Sequence, residues 1–310
     1  MLKKKSQIQK PYKPFTMPYN NIKGLGVAMV TPFTDTNDID YRALEKLMNH
    51  LLNGGADFLV VMGTTAETAT LSENEKNELL SFVKEINNGQ LPIVLGIGGN
   101  NTAKVVETFG KLNLDGVSAI LSVTPYYNKP TQKGLELHFK TLAKESPLPI
   151  ILYNVPGRTG VNMAAETTIK LANEEPNIIG VKEASGNINQ QSFILRDKPK
   201  DFLVLSGDDA LALPQLSLGF DGVISVVGNA FPAQFSKMIS LARNGKFNEA
   251  AQIHFKIIEI INNLFVDGNP GGIKAALNIL GLIQNNLRLP LVPVSQKTYN
   301  TLSELIKHFN

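Results

Sequence analysis

Lys182 ends the apolar run Asn177-Ile-Ile-Gly-Val-Lys182, and strand alternation places Ile178, Gly180 and Lys182 on one face. If that face looks into a closed barrel, the amine is partly desolvated. Desolvation disfavours the ammonium and lowers its pKa, giving a neutral amine that can attack a carbonyl carbon. A lone lysine at a strand end more commonly snorkels to water, so it is the company of Lys182 that favours chemistry. Tyr153 ends the preceding apolar run, and Thr64 and Tyr127 follow two others. Three hydroxyls beside an amine could relay the protons that carbinolamine formation and dehydration must move. Arg158 lies five residues after Tyr153 in a Pro-Gly loop. It is placed either to clamp a carboxylate through two parallel hydrogen bonds or to rest on the surface without a specific contact.

Other chemistries find little support. The chain has no cysteine, which removes disulfides, thiolate nucleophiles and Cys-based metal sites. His50, His138, His254 and His308 are scattered over helical segments without ligand spacing, so no catalytic metal is expected. The clusters Gly96-Ile-Gly98-Gly99 and Gly268-Asn-Pro-Gly271-Gly272 fit neither the dinucleotide fingerprint nor the Walker loop, so no nucleotide cofactor is indicated. Asp208-Asp209 reads as helix capping and dipole compensation rather than a carboxylate pair. Net charge is +3, but residues 1–20 hold five lysines and no acid; without those five, 25 basic residues face 27 acidic ones. A body so balanced is not a nucleic-acid binder. No run approaches the roughly 18 apolar residues of a membrane span, and the basic tail lacks a signal-peptide core. A cytoplasmic protein acting on small molecules is the expectation.

These residues need a scaffold, and the pattern supplies one. Of 310 residues 43% are hydrophobic and 18% charged, an ordinary globular balance. Eight short apolar runs begin at Val27, Phe58, Ile93, Val117, Ile150, Ile178, Phe202 and Val223. Each precedes a helical pattern, and their continuous hydrophobicity suits parallel strands buried on both faces. Between the first two, Leu44, Leu47, Met48, Leu51 and Leu52 follow helical spacing, with Asp40 to cap the start and Gly54-Gly55 the end. Ser72-Glu-Asn-Glu75 is a capping box for a helix presenting Leu79, Leu80, Val83 and Ile86. Eight such units predict an α/β fold, a (β/α)8 TIM barrel, with a doubly wound open sheet as the alternative. The predicted organisation is a basic, disordered extension over 1–20, a barrel over 21–230, and a last barrel helix with a C-terminal helical appendage over 231–310. In a barrel the chemistry sits at the C-terminal ends of the strands, where Lys182, Tyr153, Thr64, Tyr127 and Arg158 fall.

On these residues the chain, from about Gly24 to Leu291, resembles the dihydrodipicolinate synthase family (the 4-hydroxy-tetrahydrodipicolinate synthases) of pyruvate-dependent class I aldolases. The motifs are Val30-Thr-Pro-Phe33, Gly63-Thr-Thr-Ala-Glu67, Val123-Thr-Pro-Tyr-Tyr-Asn128, Tyr153-Asn-Val-Pro-Gly-Arg-Thr-Gly160, Gly180-Val-Lys-Glu-Ala184 and Ser206-Gly-Asp-Asp209. The resemblance implies a lyase of the diaminopimelate route to lysine that joins pyruvate to L-aspartate 4-semialdehyde through a Schiff base on Lys182. It gives Tyr153, Thr64 and Tyr127 the proton relay, Tyr127 coming from a neighbouring subunit. It assigns the pyruvate carboxylate to Thr65, the semialdehyde to Arg158, and the pocket lining to backbone near Gly207 and Ile224. It implies no cofactor, since the imine is the electron sink, and a homotetramer built as a dimer of dimers. N-acetylneuraminate and 2-keto-3-deoxy-sugar lyases share the imine lysine and are the alternative, though Arg158 with Tyr126-Tyr127 suits a carboxylated acceptor better than a sugar.

The chain departs from the family at three places. Ala66 and Thr68 flank Glu67 where relatives carry Gly and Ser, and Ala lacks the backbone freedom of Gly. Gly271-Gly272 stands where many relatives have a bulkier pair. The lysine effector site of inhibited members, at the subunit interface, uses two histidines and a glutamate. Here Glu73, Lys76 and Lys104 occupy those positions, while Asn100 and Tyr126 are retained beside Thr68. A cationic Lys104 repels the ammonium it would have to bind, so weak or absent lysine feedback is expected.

Overall fold

The computed structural model describes residues 21–309; the predicted 1–20 extension lies outside them. All eight apolar runs form strands: β1 (Gly24–Ala28), β2 (Phe58–Val61), β3 (Ile93–Gly96), β4 (Ala119–Val123), β5 (Ile150–Asn154), β6 (Ile178–Glu183), β7 (Leu203–Ser206) and β8 (Gly222–Ser225). Every neighbouring pair is parallel, and β8 pairs with β1 from Gly24↔Gly222 to Val27↔Ser225. That last ladder closes the sheet and decides against the open alternative.

Helices follow the strands: α1 (Tyr41–Asn53), α2 (Glu73–Asn87), α3 (Thr102–Phe109), α4 (Gln132–Glu145), the single turn α5 (Pro156–Thr159), α6 (Ala165–Glu174), α7 (Ile188–Asp197), α8 (Ala212–Ser217) and α9 (Pro232–Arg243). The expected caps are in place. The Asp40 carboxylate accepts from Ala43 N–H at 2.9 Å, and Ser72 and Glu75 exchange both bonds of the capping box. Each cap satisfies amides that the first helical turn leaves unpaired. The helices cover the outer face of the sheet with Leu44, Leu47, Leu79, Val83 and similar residues, while a second, smaller cluster fills the barrel interior.

Strand alternation breaks at one place that matters. The register between β5 and β6 shifts from Ile150↔Ile178 to Ile151↔Gly180. Ile178 therefore packs outward under the helices and Ile179 inward, rather than Ile178 sharing a face with Lys182. Beyond the irregularity the register resumes, and Lys182 aligns with Tyr153 on β5 and Leu205 on β7, both inner-cluster residues.

Among the described residues no strand follows β8. The chain continues through α10 (Phe247–Asn263), α11 (Gly271–Ile279) and α12 (Gln296–Phe309), with α11 leaning on the last turn of α10. A methyl group on Gly272 would lie 2.0 Å from the Leu264 carbonyl oxygen, so this glycine answers to a close backbone approach. Among the described residues no helix is long and apolar enough to cross a membrane.

Candidate active site

A cavity of about 920 Å³ opens where the C-terminal ends of the strands meet the loops that follow them. Lys182, Tyr153, Thr64, Thr65, Arg158, Gly207 and Tyr126 all face it. The sequence-predicted constellation thus converges, with Tyr127 and Ile224 outside it.

Lys182 is buried, with 6% of its surface exposed, and its Nζ lies 4.4 Å from the centroid of the Tyr153 ring. The lysine therefore does not snorkel to solvent. Its strand is pinned from the opposite face by the fully buried Glu183. That carboxylate accepts from Asn154 Nδ2 at 3.0 Å, from Ser185 N–H at 2.7 Å and from Gln190 Nε2 at 3.3 Å, so a buried charge is met by donors on several sides. Gly207 supplies room: a Cβ there would lie 2.6 Å from Ala184 Cβ and 2.9 Å from Lys182 Cε. Ile224 sits deeper in the barrel, and Val226, two residues on, reaches the cavity instead.

Thr64 and Thr65 stand on a 3-10 turn, Thr64–Ala66, directly after β2. Ala66 is not among the residues with positive φ, so the turn does not call on the freedom of Gly at that position. The left-handed residue is Glu67, at φ 54°. Its carboxylate meets Lys274 of α11 at 2.5 Å, with both side chains fully buried, and accepts from the Arg288 N–H at 3.0 Å. Burial pushes the Lys274 ammonium down to about 8, against the attraction of Glu67. The Arg288 guanidinium continues the network to Glu75 and, at 3.1 Å, to the Thr70 carbonyl.

Asn269, just ahead of α11, donates through Nδ2 to Thr65 Oγ1 at 3.0 Å, and its carbonyl accepts from Arg158 Nη2 at 3.3 Å. Arg158 is exposed at the cavity rim and tethered there by this bond. Sequence reasoning passed over Asn269, Glu67, Lys274 and Arg288 as site residues. The available signal was Lys274 itself, an ammonium inside the apolar segment Ile273–Leu282, the same oddity that drew attention to Lys182.

The Asp208-Asp209 pair divides its work. Asp208 accepts from Ala210 and Leu211 N–H at 3.0 and 3.2 Å, closing a turn ahead of α8, whose cap residue is Leu211 with no side-chain cap bond, so the expected capping is not found. Asp209 caps nothing; it reaches to β8 and accepts from Val226 and Val227 N–H at 2.9 and 2.7 Å. Burial lifts its carboxyl to about 6 in spite of those bonds.

Tyr127 points away from its own cavity: 86% of it is exposed, at φ 74°. Nearby, the Tyr126 carbonyl accepts from Asn100 Nδ2 at 3.4 Å, and Thr68 Oγ1 donates to the Gly63 carbonyl at 3.0 Å. Glu73 pairs with Lys111 at 3.0 Å, Lys76 borders the cavity, and Lys104 is exposed on α3. Among the described residues no group of three His, Asp or Glu side chains is arranged to hold a metal ion.

Comparison with known proteins agrees with the fold. A 4-hydroxy-tetrahydrodipicolinate synthase from Parabacteroides distasonis is 52% identical over 290 residues, covering 94% of this chain and 98% of that one. One from Phocaeicola vulgatus is 51% identical over 285 residues, covering 92% and 96%. The crystal structure of dihydrodipicolinate synthase from Thermotoga maritima superposes with a TM-score of 0.90 at 40% identity, covering 93% of this chain and 98% of that one. The model of the Dihydrodipicolinate synthetase family matches residues 21–309, and the chain belongs to that family.

Proposed function

We propose that this chain is a lyase that condenses pyruvate with L-aspartate 4-semialdehyde to 4-hydroxy-tetrahydrodipicolinate, in the diaminopimelate route to lysine. The observation that carries the reading is the Lys182 amine, buried in the cavity wall against Tyr153. The neutral amine attacks C2 of pyruvate, and loss of water from the carbinolamine gives an imine. Removal of a methyl proton converts it to an enamine, whose terminal carbon attacks the aldehyde and forms the new C–C bond. The amino group of the semialdehyde then adds to C2, closes the ring and releases Lys182. Tyr153 and Thr64 carry protons to and from these centres, Thr65 holds the pyruvate carboxylate, and Arg158 holds the carboxylate of the semialdehyde. Because the imine nitrogen draws off the developing charge, the chemistry asks for no cofactor.

Tyr127 completes the relay from a second copy. Its outward projection on a left-handed backbone, off its own cavity, supports a homo-oligomer, which we take to be a dimer of dimers. Its small-molecule substrates of central metabolism suit a cytoplasmic enzyme. Repulsion by Lys104 on the effector face makes lysine a weak inhibitor or none, and strong inhibition at sub-millimolar lysine in a kinetic titration would refute this.

The test is turnover of pyruvate and L-aspartate 4-semialdehyde, coupled to the following NADPH-dependent reductase, with borohydride trapping of the imine. Turnover that disappears in Lys182→Ala, together with the trapped adduct, is expected. A folded wild type that forms the adduct without consuming the semialdehyde would transfer the reaction to another aldehyde, a sugar among them.

A further inference from the structure

The C-terminal segment grips the strand-two loop at two points, although a closed eight-stranded barrel does not require it. Just before α11, Asn269 bonds Thr65 Oγ1. One turn into α11, Lys274 meets Glu67, two residues beyond Thr65. The geometry points to Lys274 as a positioning residue that, acting through Glu67, holds the Thr64-Thr65 turn in the form that binds the pyruvate carboxylate; this rests on the function proposed above.

Four observations support the assignment. Both partners are fully buried, where a charge without its counter-charge is strongly disfavoured, so the Glu67 carboxylate has little freedom to leave Lys274. Lys274 is itself fixed, with Nζ donating to the Asn286 carbonyl at 2.8 Å and lying 4.1 Å from the centroid of the Phe33 ring. Glu67 occupies a left-handed conformation that a non-glycine residue keeps when its surroundings hold it there. Its N–H bonds the Thr64 carbonyl at 3.1 Å, so the place of its carboxylate and the shape of the threonine turn are set together. A hydrophobic pair of similar volume would fill this space at least as stably, and it would leave the turn without its anchor.

The experiment compares Lys274→Met and Glu67→Gln with the double variant, measuring KM for each substrate, kcat and melting temperature. Lys274→Met is expected to raise KM for pyruvate at least tenfold, with KM for the semialdehyde within twofold of wild type. The double variant buries no uncompensated charge and regains melting temperature, yet its pyruvate KM stays within twofold of the Lys274→Met value, because the anchor is still gone. If Lys274→Met does not fold, the double variant alone carries the comparison against wild type. A double variant whose pyruvate KM returns to wild type with its stability, or in which both KM values rise together, overturns the assignment. A wild type that forms no pyruvate imine overturns the proposed function instead.

Discussion

Replacing Gly207 by alanine adds a single methyl group beside the stem of Lys182. The new Cβ would lie 2.6 Å from Ala184 Cβ and 2.9 Å from Lys182 Cε, against an ordinary carbon–carbon separation of about 3.5–4.0 Å. Restoring contact distance to the lysine alone requires its Cε to move by about 0.6–1 Å. Ala184, one residue past β6 and packed against the inner cluster, limits the alternative of moving the methyl. Overpacking of this kind costs about 1–3 kcal/mol when the surroundings relax in part. A displacement of about 1 Å at a reacting group costs on the order of 100-fold in rate. We therefore expect kcat/KM for pyruvate to fall by about 10- to 100-fold in Gly207→Ala, with melting temperature lowered by only a few degrees. Timed borohydride trapping, read by intact mass, reports imine formation directly and separates it from the later C–C bond step. A folded variant that traps pyruvate within twofold of the wild-type rate would show that the crowding is absorbed elsewhere, and the steric account of Gly207 would be wrong.

Two further outcomes follow from charges and their burial. Arg158→Lys keeps the cation but loses the forked donor oriented by the Asn269 carbonyl; a charged hydrogen bond of about 1.5–3 kcal/mol gives a rise of about 10- to 150-fold in KM for the semialdehyde, with KM for pyruvate nearly unchanged in initial-rate kinetics. Burial drives the His138 imidazole down to about 4, while in the unfolded chain it titrates near 6.5. The unfolded chain takes up the proton first, so the stability associated with neutral His138 is complete above pH 6.5 and is lost as pH falls toward 4. Between pH 7 and pH 5 this amounts to about 1–2 kcal/mol. His138→Asn, whose amide takes the place of Nδ1 and can keep a bond to Thr102 Oγ1 (2.9 Å from Nδ1 in the wild type), should flatten that part of the pH dependence in urea titrations. Equal losses in both proteins would count against the assignment.

Much of this architecture could be read from local pattern because a closed parallel barrel writes itself into the chain as repeated apolar runs. What resisted reading was non-local or silent in side-chain type. β1 begins three residues before the apolar run at Val27, since Gly24 and Gly26 carry no strand signal although both pair with β8. The irregularity that turns Ile179 inward depends on the partner strand, and alternation alone cannot reveal it. Lys182 stood out because a charge closing a hydrophobic run is conspicuous, Tyr153 because it ends the preceding strand, and Arg158 because it lies in the loop after that strand. Lys274 made the same kind of mark, but its partner lies 207 positions earlier, and only the folded chain shows that the two meet. Tyr127 could be named from the chain, whereas its outward aim is a property of backbone angles.

The grip of α11 on the strand-two loop also sets an order of assembly during synthesis. All eight strands and Lys182 have been made once residue 225 is added. Asn269, Lys274 and Arg288 come later, and at roughly 5–20 residues per second the growing chain spends several seconds with its amine in place and the threonine turn unclamped. A product cut short before Asn269 would carry the nucleophile without the grip that shapes its substrate cradle. On the proposed function, a chain must therefore be made past Arg288 before its threonine turn is held by Asn269 and by the Lys274–Glu67 pair.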